Sequence, residues 1–200
     1  DVYKRQNMDF ARLCQNVKTI HSFGTIHQHL DLIAGLPYED YGSFHRSFQE
    51  VYALKPQQLQ LGFLKVLKGS AMKRDAGGYG IRHKAKEPYE VLCTNWLSYE
   101  DVLLLKEVES MVEIYYNSGQ FGYTVAYLEE FFPDAFLFYE ALGRYYREKG
   151  YGEISHSRIR RYEILLEFAE EYPAIERDVL VEKMLMDLYL REHLKSRPSF

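Results

Sequence analysis

His29-Leu30-Asp31-Leu32-Ile33-Ala34-Gly35-Leu36-Pro37 is a short apolar run closed by a glycine and a Leu-Pro step. A run this brief, bounded by Gly and Pro, predicts a buried strand rather than a helix. Upstream, Phe10, Leu13, Val17 and Ile20 recur at helical spacing and stop at Gly24. Downstream, Phe44, Phe48, Val51 and Leu54 mark one face of a second helix that ends before Pro56. A second strand follows around Gln58-Leu59-Gln60-Leu61-Gly62-Phe63-Leu64. The order helix, strand, helix, strand at short spacing predicts βα units of a parallel sheet.

After Gly69 the character changes. Gly77-Gly78 and Gly80 mark turns, and Tyr89-Glu90-Val91-Leu92 predicts a short strand. Ser98-Tyr99-Glu100-Asp101 has the form of a capping box with aspartate in the third helical position. Leu104, Val108, Met111, Val112 and Tyr115 then outline a long amphipathic helix ending near Gly119. From Phe121 onward the pattern is helical, with Pro133, Gly150, Gly152 and Pro173 separating segments that hold Phe138/Leu142/Tyr145, Ile159/Tyr162/Leu166 and Leu180/Met184/Leu188. The expected organisation is βα units over 7–69, a connecting loop or hairpin over 70–95, and a helical domain over 96–200.

The chain has 200 residues, 46% hydrophobic and 27% charged, with a formal charge of -4. These values fit a soluble globular chain and exclude a polyanion binder acting through its total charge. Eighteen tyrosines and twelve phenylalanines against one tryptophan argue against disorder and for a thick core with wet rims. No apolar run approaches the roughly 18 residues of a membrane span. The two cysteines, Cys14 and Cys93, stand in no metal or disulfide spacing, and a reducing cytoplasm is the expected compartment. No secretory signal opens the chain. It begins Asp1-Val2-Tyr3-Lys4-Arg5-Gln6 without methionine. That hexapeptide translates a transposase end used in sequencing libraries, so residues 1–6 are expected to be an adaptor scar on a gene cut upstream.

Asp31 is the most informative side chain, a carboxylate inside an apolar strand. In parallel sheets and barrels a charge there needs an open end and a partner, and ligands bind at the carboxyl ends of strands. Two readings stand: Asp31 accepts hydrogen bonds from a ribose or amino group, or it pairs with a Lys or Arg of a neighbouring strand. Gly35 permits close approach of a ligand or another backbone, and Pro37 sets the exit turn. His27 and His29 would share a strand face, but nothing at a clear spacing completes a metal site with His21 or His45. Glu39 and Asp40 read as negative charges ahead of a helix N-terminus. Between residues 65 and 86, Lys65, Lys68, Lys73, Arg74, Arg82, Lys84 and Lys86 face the single acid Asp75, with Tyr79 and Tyr89 nearby. This stretch is either a solvated basic loop or a surface that binds an RNA backbone and stacks bases. No Walker loop, G-x-G-x-x-G or Ser/His/Asp order is present, and no catalytic or metal-ligating residue is assigned.

The stretch from His29 to Glu39 resembles the fifth-strand motif of radical S-adenosylmethionine enzymes, nearest to the oxygen-independent coproporphyrinogen oxidase and cobalamin-binding groups. Leu59-Gln60-Leu61-Gly62-Phe63-Leu64-Lys65-Val66-Leu67-Lys68-Gly69-Ser70 looks like the sixth strand and its exit in the cobalamin-binding group. Glu87-Pro88-Tyr89-Glu90-Val91-Leu92 and the helix to Tyr115-Tyr116-Asn117-Ser118 look like the helical domain that follows the radical core in that group.

The resemblance implies the C-terminal part of a partial (β/α)6 TIM-like barrel followed by a helical domain, an α/β part and then an all-α part. It implies an enzyme with S-adenosylmethionine, a [4Fe-4S] cluster and cobalamin in the full-length protein, forming a 5′-deoxyadenosyl radical. Carried onto this chain, Asp31 matches the polar contact to the ribose or methionyl part. Ile33 matches the apolar contact near adenine, Gly35 the close-approach position, and Leu61, Gly62 and Phe63 the border of the adenine. The CxxxCxxC cluster motif is absent from all 200 residues. The fragment alone is therefore expected to bind no cluster and to be inactive. The alternative expectation is a helical protein- or RNA-binding module that uses the basic loop 65–86.

Overall fold

The computed structural model describes residues 9–190; the adaptor-like reading of residues 1–6 lies outside them. The chain divides into two compact units, residues 1–109 and 110–200.

In the first unit, α1 (Phe10–Ser22) starts on Asp9, whose carboxylate accepts from the Arg12 amide at 3.0 Å. Of its apolar stripe only Val17 is buried. β1 (His29–Ala34) and β2 (Gln58–Phe63) pair in parallel, from His29 opposite Gln58 to Ala34 opposite Phe63. Between them runs α2 (Tyr41–Tyr52), which packs on β1 and buries Phe44, Phe48 and Val51 as the periodicity predicts. The link from β1 to α2 is a tight turn in which the Glu39 amide donates to the Leu36 carbonyl at 3.3 Å. Proline occupies its second position and Tyr38 its third, at φ 69°, where a type II turn ordinarily carries glycine. Asp40 then caps α2, exchanging hydrogen bonds with Ser43 at 2.7 and 2.8 Å.

The segment after β2, expected as a connector, is built into the first unit. The Val91 amide donates to the Leu64 carbonyl at 2.8 Å, and the Val66 amide to the Tyr89 carbonyl at 3.0 Å. Within this segment lie α3 (Ala71–Asp75), capped by Ser70, and an antiparallel pair, β3 (Arg82–His83) with β4 (Val91–Cys93). Strands of two and three residues are too short to show alternation, so the sequence predicts only the second of them. The expected capping box is present at the start of α4 (Tyr99–Val112): the Ser98 amide donates to Asp101 at 2.9 Å and the Asp101 amide to Ser98 at 3.1 Å.

The described strands thus form one βαβ unit and one short hairpin in a mixed α/β chain that is about 54% helical.

The second unit begins in the last turn of α4 and continues into a π-helical turn, Glu113–Asn117. α5 (Gly122–Glu129), α6 (Ala135–Glu148), α7 (Arg158–Ala169) and α8 (Arg177–Tyr189) follow. Asp134 and Ser157 cap α6 and α7. The core is aromatic, with Tyr115, Phe121, Phe138, Tyr139, Tyr162 and Phe168 fully buried. The hydroxyls of Tyr115 and Tyr162 find partners: Tyr115 pairs with Tyr146 at 2.5 Å, and Tyr162 donates to the Gln120 carbonyl at 2.8 Å. The N-terminus of α5 is capped from a distance by Asp187 of α8. That buried carboxylate accepts from the amides of Tyr123 and Thr124 at 3.0 and 2.8 Å, and from the Thr124 hydroxyl at 2.8 Å. No helix among the described residues is long and apolar enough to cross a membrane.

Candidate functional site

Because side chains alternate along a strand and parallel partners share a face, the β1–β2 pair has two faces of opposite character. Leu30, Leu32 and Ala34 lie with Leu59, Leu61 and Phe63 on one; the three β2 residues there are buried. His29, Asp31 and Ile33 lie with Gln58, Gln60 and Gly62 on the other. That second face adjoins a cleft of about 470 Å³ whose lining includes Asp31, Ile33, Gln60, Gly62, Lys65 and Glu90.

The six residues matched to a cofactor site therefore divide. Asp31, Ile33 and Gly62 come together on the open face. Leu61 and Phe63 border the cleft, yet their side chains belong to the opposite, buried face, at 4% and 9% exposure. At Gly35 the close approach is made by this chain's own Val91. A Cβ there would lie 2.7 Å from Val91 Cγ1, and the backbone is at φ 87°, so glycine is required on both counts. Gly62, by contrast, has only the Leu32 carbonyl within reach of a Cβ, at 3.5 Å.

Among the described residues, Asp31 pairs with no Lys or Arg of a neighbouring strand. Its partner is His29, two residues earlier on the same face, with Nε2 to Oδ1 at 3.0 Å. The Asp31 side chain is 63% exposed, which leaves acceptor positions open on the cleft side of the sheet. Also lining the cleft, Glu90 is held by Lys106 at 2.7 Å and Lys84 at 3.1 Å. Burial pushes its carboxyl pKa up, but the two lysines outweigh burial and keep it below the ordinary value. Lys106 also lies 4.2 Å from the centroid of the Phe63 ring, so one ammonium serves a carboxylate and an aromatic face.

Glu39 and Asp40, read together from sequence as helix-dipole charges, have separate roles. Asp40 is the N-cap, and the Ser43 hydrogen bonds hold its pKa below the ordinary value. Glu39 caps nothing: Oε2 is buried with no hydrogen-bond partner, and Oε1 has the Ser47 hydroxyl only at 3.5 Å. Burial raises its pKa to about 7, against a smaller lowering by Ser47.

The basic stretch also sorts itself. Lys84 is bound to Glu90, Lys73 Nζ lies 2.8 Å from His83 Nε2, and Lys68 sits over the Tyr89 ring at 5.2 Å. Lys65, Arg74, Arg82 and Lys86 form no ion pair among the described residues. His27 precedes β1 and so does not share a strand face with His29. Among the described residues no three His, Cys, Asp or Glu side chains gather to hold a metal, and Cys14 and Cys93 are free.

Two pairings in this region carry no sequence signal. Glu90 and Lys106 meet across 16 positions, and Trp96 packs on Tyr38 across 58, with ring centroids at 4.6 Å. Only the fold brings them together.

Residues 77–200 match the family described as protein of unknown function DUF4080. The match spans more than half of the chain, and the protein belongs to that family. No curated protein matches the chain.

Proposed function

We propose that this DUF4080 member is the C-terminal portion of a radical S-adenosylmethionine enzyme of the cobalamin-binding group, with the helical unit as its C-terminal appendage. The observation that carries the reading is the open face of β1–β2, where a carboxylate, an apolar side chain and a glycine stand together beside a cleft. The DUF4080 domain accompanies cobalamin-binding radical S-adenosylmethionine proteins, which supports the same assignment.

The residues present fit the adenosyl part of the cofactor. Asp31 has exposed acceptor oxygens for a ribose hydroxyl or an amino group. Ile33 offers an apolar contact, and Gly62 leaves the sheet surface flat enough for a ring. When bound, S-adenosylmethionine supplies the 5′-deoxyadenosyl group, and these residues orient it. The chain does not fit the [4Fe-4S] cluster: it has two cysteines, far apart, so the cluster ligands belong outside these 200 residues. The enzyme would work in the cytoplasm, where Cys14 and Cys93 remain thiols.

Saturation-transfer NMR with S-adenosylhomocysteine tests the site. Adenine and ribose signals that fade in Asp31→Ala and Ile33→Arg support the reading; signals equal in all three proteins refute it. Iron and sulfide reconstitution of the isolated chain should give no stoichiometric 4Fe cluster, and forming one would place the ligands in this chain after all.

A further inference from the structure

The turn after β1 holds an anomaly. At its third position stands Tyr38, in left-handed backbone that strains any residue with a Cβ, and its ring is 68% exposed. Glycine there would relieve the strain at the cost of the ring's contacts, so the backbone conformation by itself gives no reason for a tyrosine. The exposed ring is not isolated. It lies 4.6 Å from Trp96 and 5.9 Å from Tyr79, whose rings are 6.2 Å from each other. Tyr79 and Trp96 sit on separate loops that Asn95 laces together: its amide donates to the Tyr79 carbonyl at 3.0 Å and its side chain to the Gly78 carbonyl at 3.3 Å. Gly80 is required at that seam, because a Cβ would fall 2.0 Å from Asn95 Oδ1. Three loops thus hold three rings in fixed contact with one face open to solvent.

The chemistry around the rings points to a polyanion with planar groups. Arg74 and Arg82 bracket the turn that carries Tyr79; neither forms an ion pair among the described residues. Arg82 lies opposite Cys93, three residues before Trp96. A second ring station follows at Tyr89, also in left-handed backbone at φ 57°, with Lys68 over its face. Two stations and the unpaired Lys65, Arg74, Arg82 and Lys86 exceed what one nucleotide engages and suit a strand. The chain as a whole is acidic, so this cation excess is local.

We propose that Tyr38, Tyr79 and Trp96, with Arg74 and Arg82 beside them in the chain, form a stacking surface for single-stranded nucleic acid. Bases stack on the rings, above all on the open face of Tyr38, and the arginines take the phosphates. The surface is independent of the adenosyl site, and a uridine probe carries no adenine to compete there.

Trp96 is the only tryptophan, so its emission reports this surface alone. The probe is the oligonucleotide rU12 at low salt, with UMP at equal nucleotide concentration and an rA12·rU12 duplex as separate arms. Saturable quenching by rU12, weak quenching by UMP and none by the duplex are expected. Tyr38→Gly and Tyr38→Asn, both suited to left-handed backbone, should weaken binding roughly tenfold while the thermal midpoint holds or rises. Arg74→Ala with Arg82→Ala should lower the slope of log affinity against log salt by about 1. Absence of rU12 quenching, equal quenching by UMP or duplex, or undiminished binding by Tyr38→Gly overturns the proposal. So does a clear fall in the Tyr38→Gly melting temperature, which would make the ring a structural brace.

Discussion

The core tyrosines of the second unit and the turn tyrosines of the first are used in opposite ways. In the second, Tyr115, Tyr139 and Tyr162 are at most 1% exposed, and the hydroxyls of Tyr115 and Tyr162 are hydrogen-bonded inside the core. In the first, Tyr38 and Tyr89 stand on turns in left-handed backbone, and Tyr38 turns most of its ring to solvent. A buried, bonded tyrosine contributes packing area and a specific hydrogen bond. Tyr38 contributes less packing than a core ring, at a strained backbone position, and keeps most of its surface open to solvent. The second unit is therefore built around a packed aromatic core, while the first sets two tyrosines on strained turns.

Several changes break or sharpen that contrast. The largest effect is expected in the second unit from Asp187→Ala, which orphans two amides and a hydroxyl in the core and should cost about 3 kcal/mol in urea denaturation. In the first unit, Gly35→Ala sets a methyl against Val91 in left-handed backbone, at roughly 2 kcal/mol. Adding Val91→Ala should relieve the overlap and leave the strain, so the two terms separate. Tyr115→Phe removes one hydroxyl of the buried pair and should cost about 1 kcal/mol, with Tyr146→Phe adding little on top because the pair is already broken.

A pH effect of similar size belongs to Glu39. Its carboxyl ionises near 4.5 in the unfolded chain and at about 7 in the folded one. The unfolded state thus loses its proton first, and stability falls as pH rises from 4.5 to 7, then levels off. Allowing for solvent screening of a partly exposed group, the loss is on the order of 1 kcal/mol. Glu39→Gln should flatten the profile in melts across that range. The smallest effect is that of Tyr38→Gly, a gain of a few tenths of a kcal/mol; a loss there would erase the contrast.

Much of this was legible in the residues, and the part that was not has a common cause. The βαβ unit showed in the run at 29–37, in Phe44, Phe48 and Val51, and in the alternation of Leu59, Leu61 and Phe63, because each signal is local and periodic. The Ser98–Asp101 box was readable for the same reason. The hairpin was half hidden, since Arg82-His83 carries no apolar pattern. Gly35 stands out in the sequence as a place for close approach of a ligand or another backbone, but what approaches is the Val91 side chain, 56 positions away. Strand parity could have warned that Leu61 and Phe63 face away from Asp31; adjacency in sequence drew them into one group.

The buried tyrosines also set an upper pH limit for the second unit. Burial lifts Tyr115 well above the ordinary phenol value and takes Tyr116 and Tyr145 to about 12. An unfolded chain releases these protons near 10, so alkali draws the equilibrium toward unfolding once for every hydroxyl the core protects. The phenolate absorbance of these protected hydroxyls should then rise cooperatively as the helices melt together. The same rings that lock the unit at neutral pH make it labile in alkali.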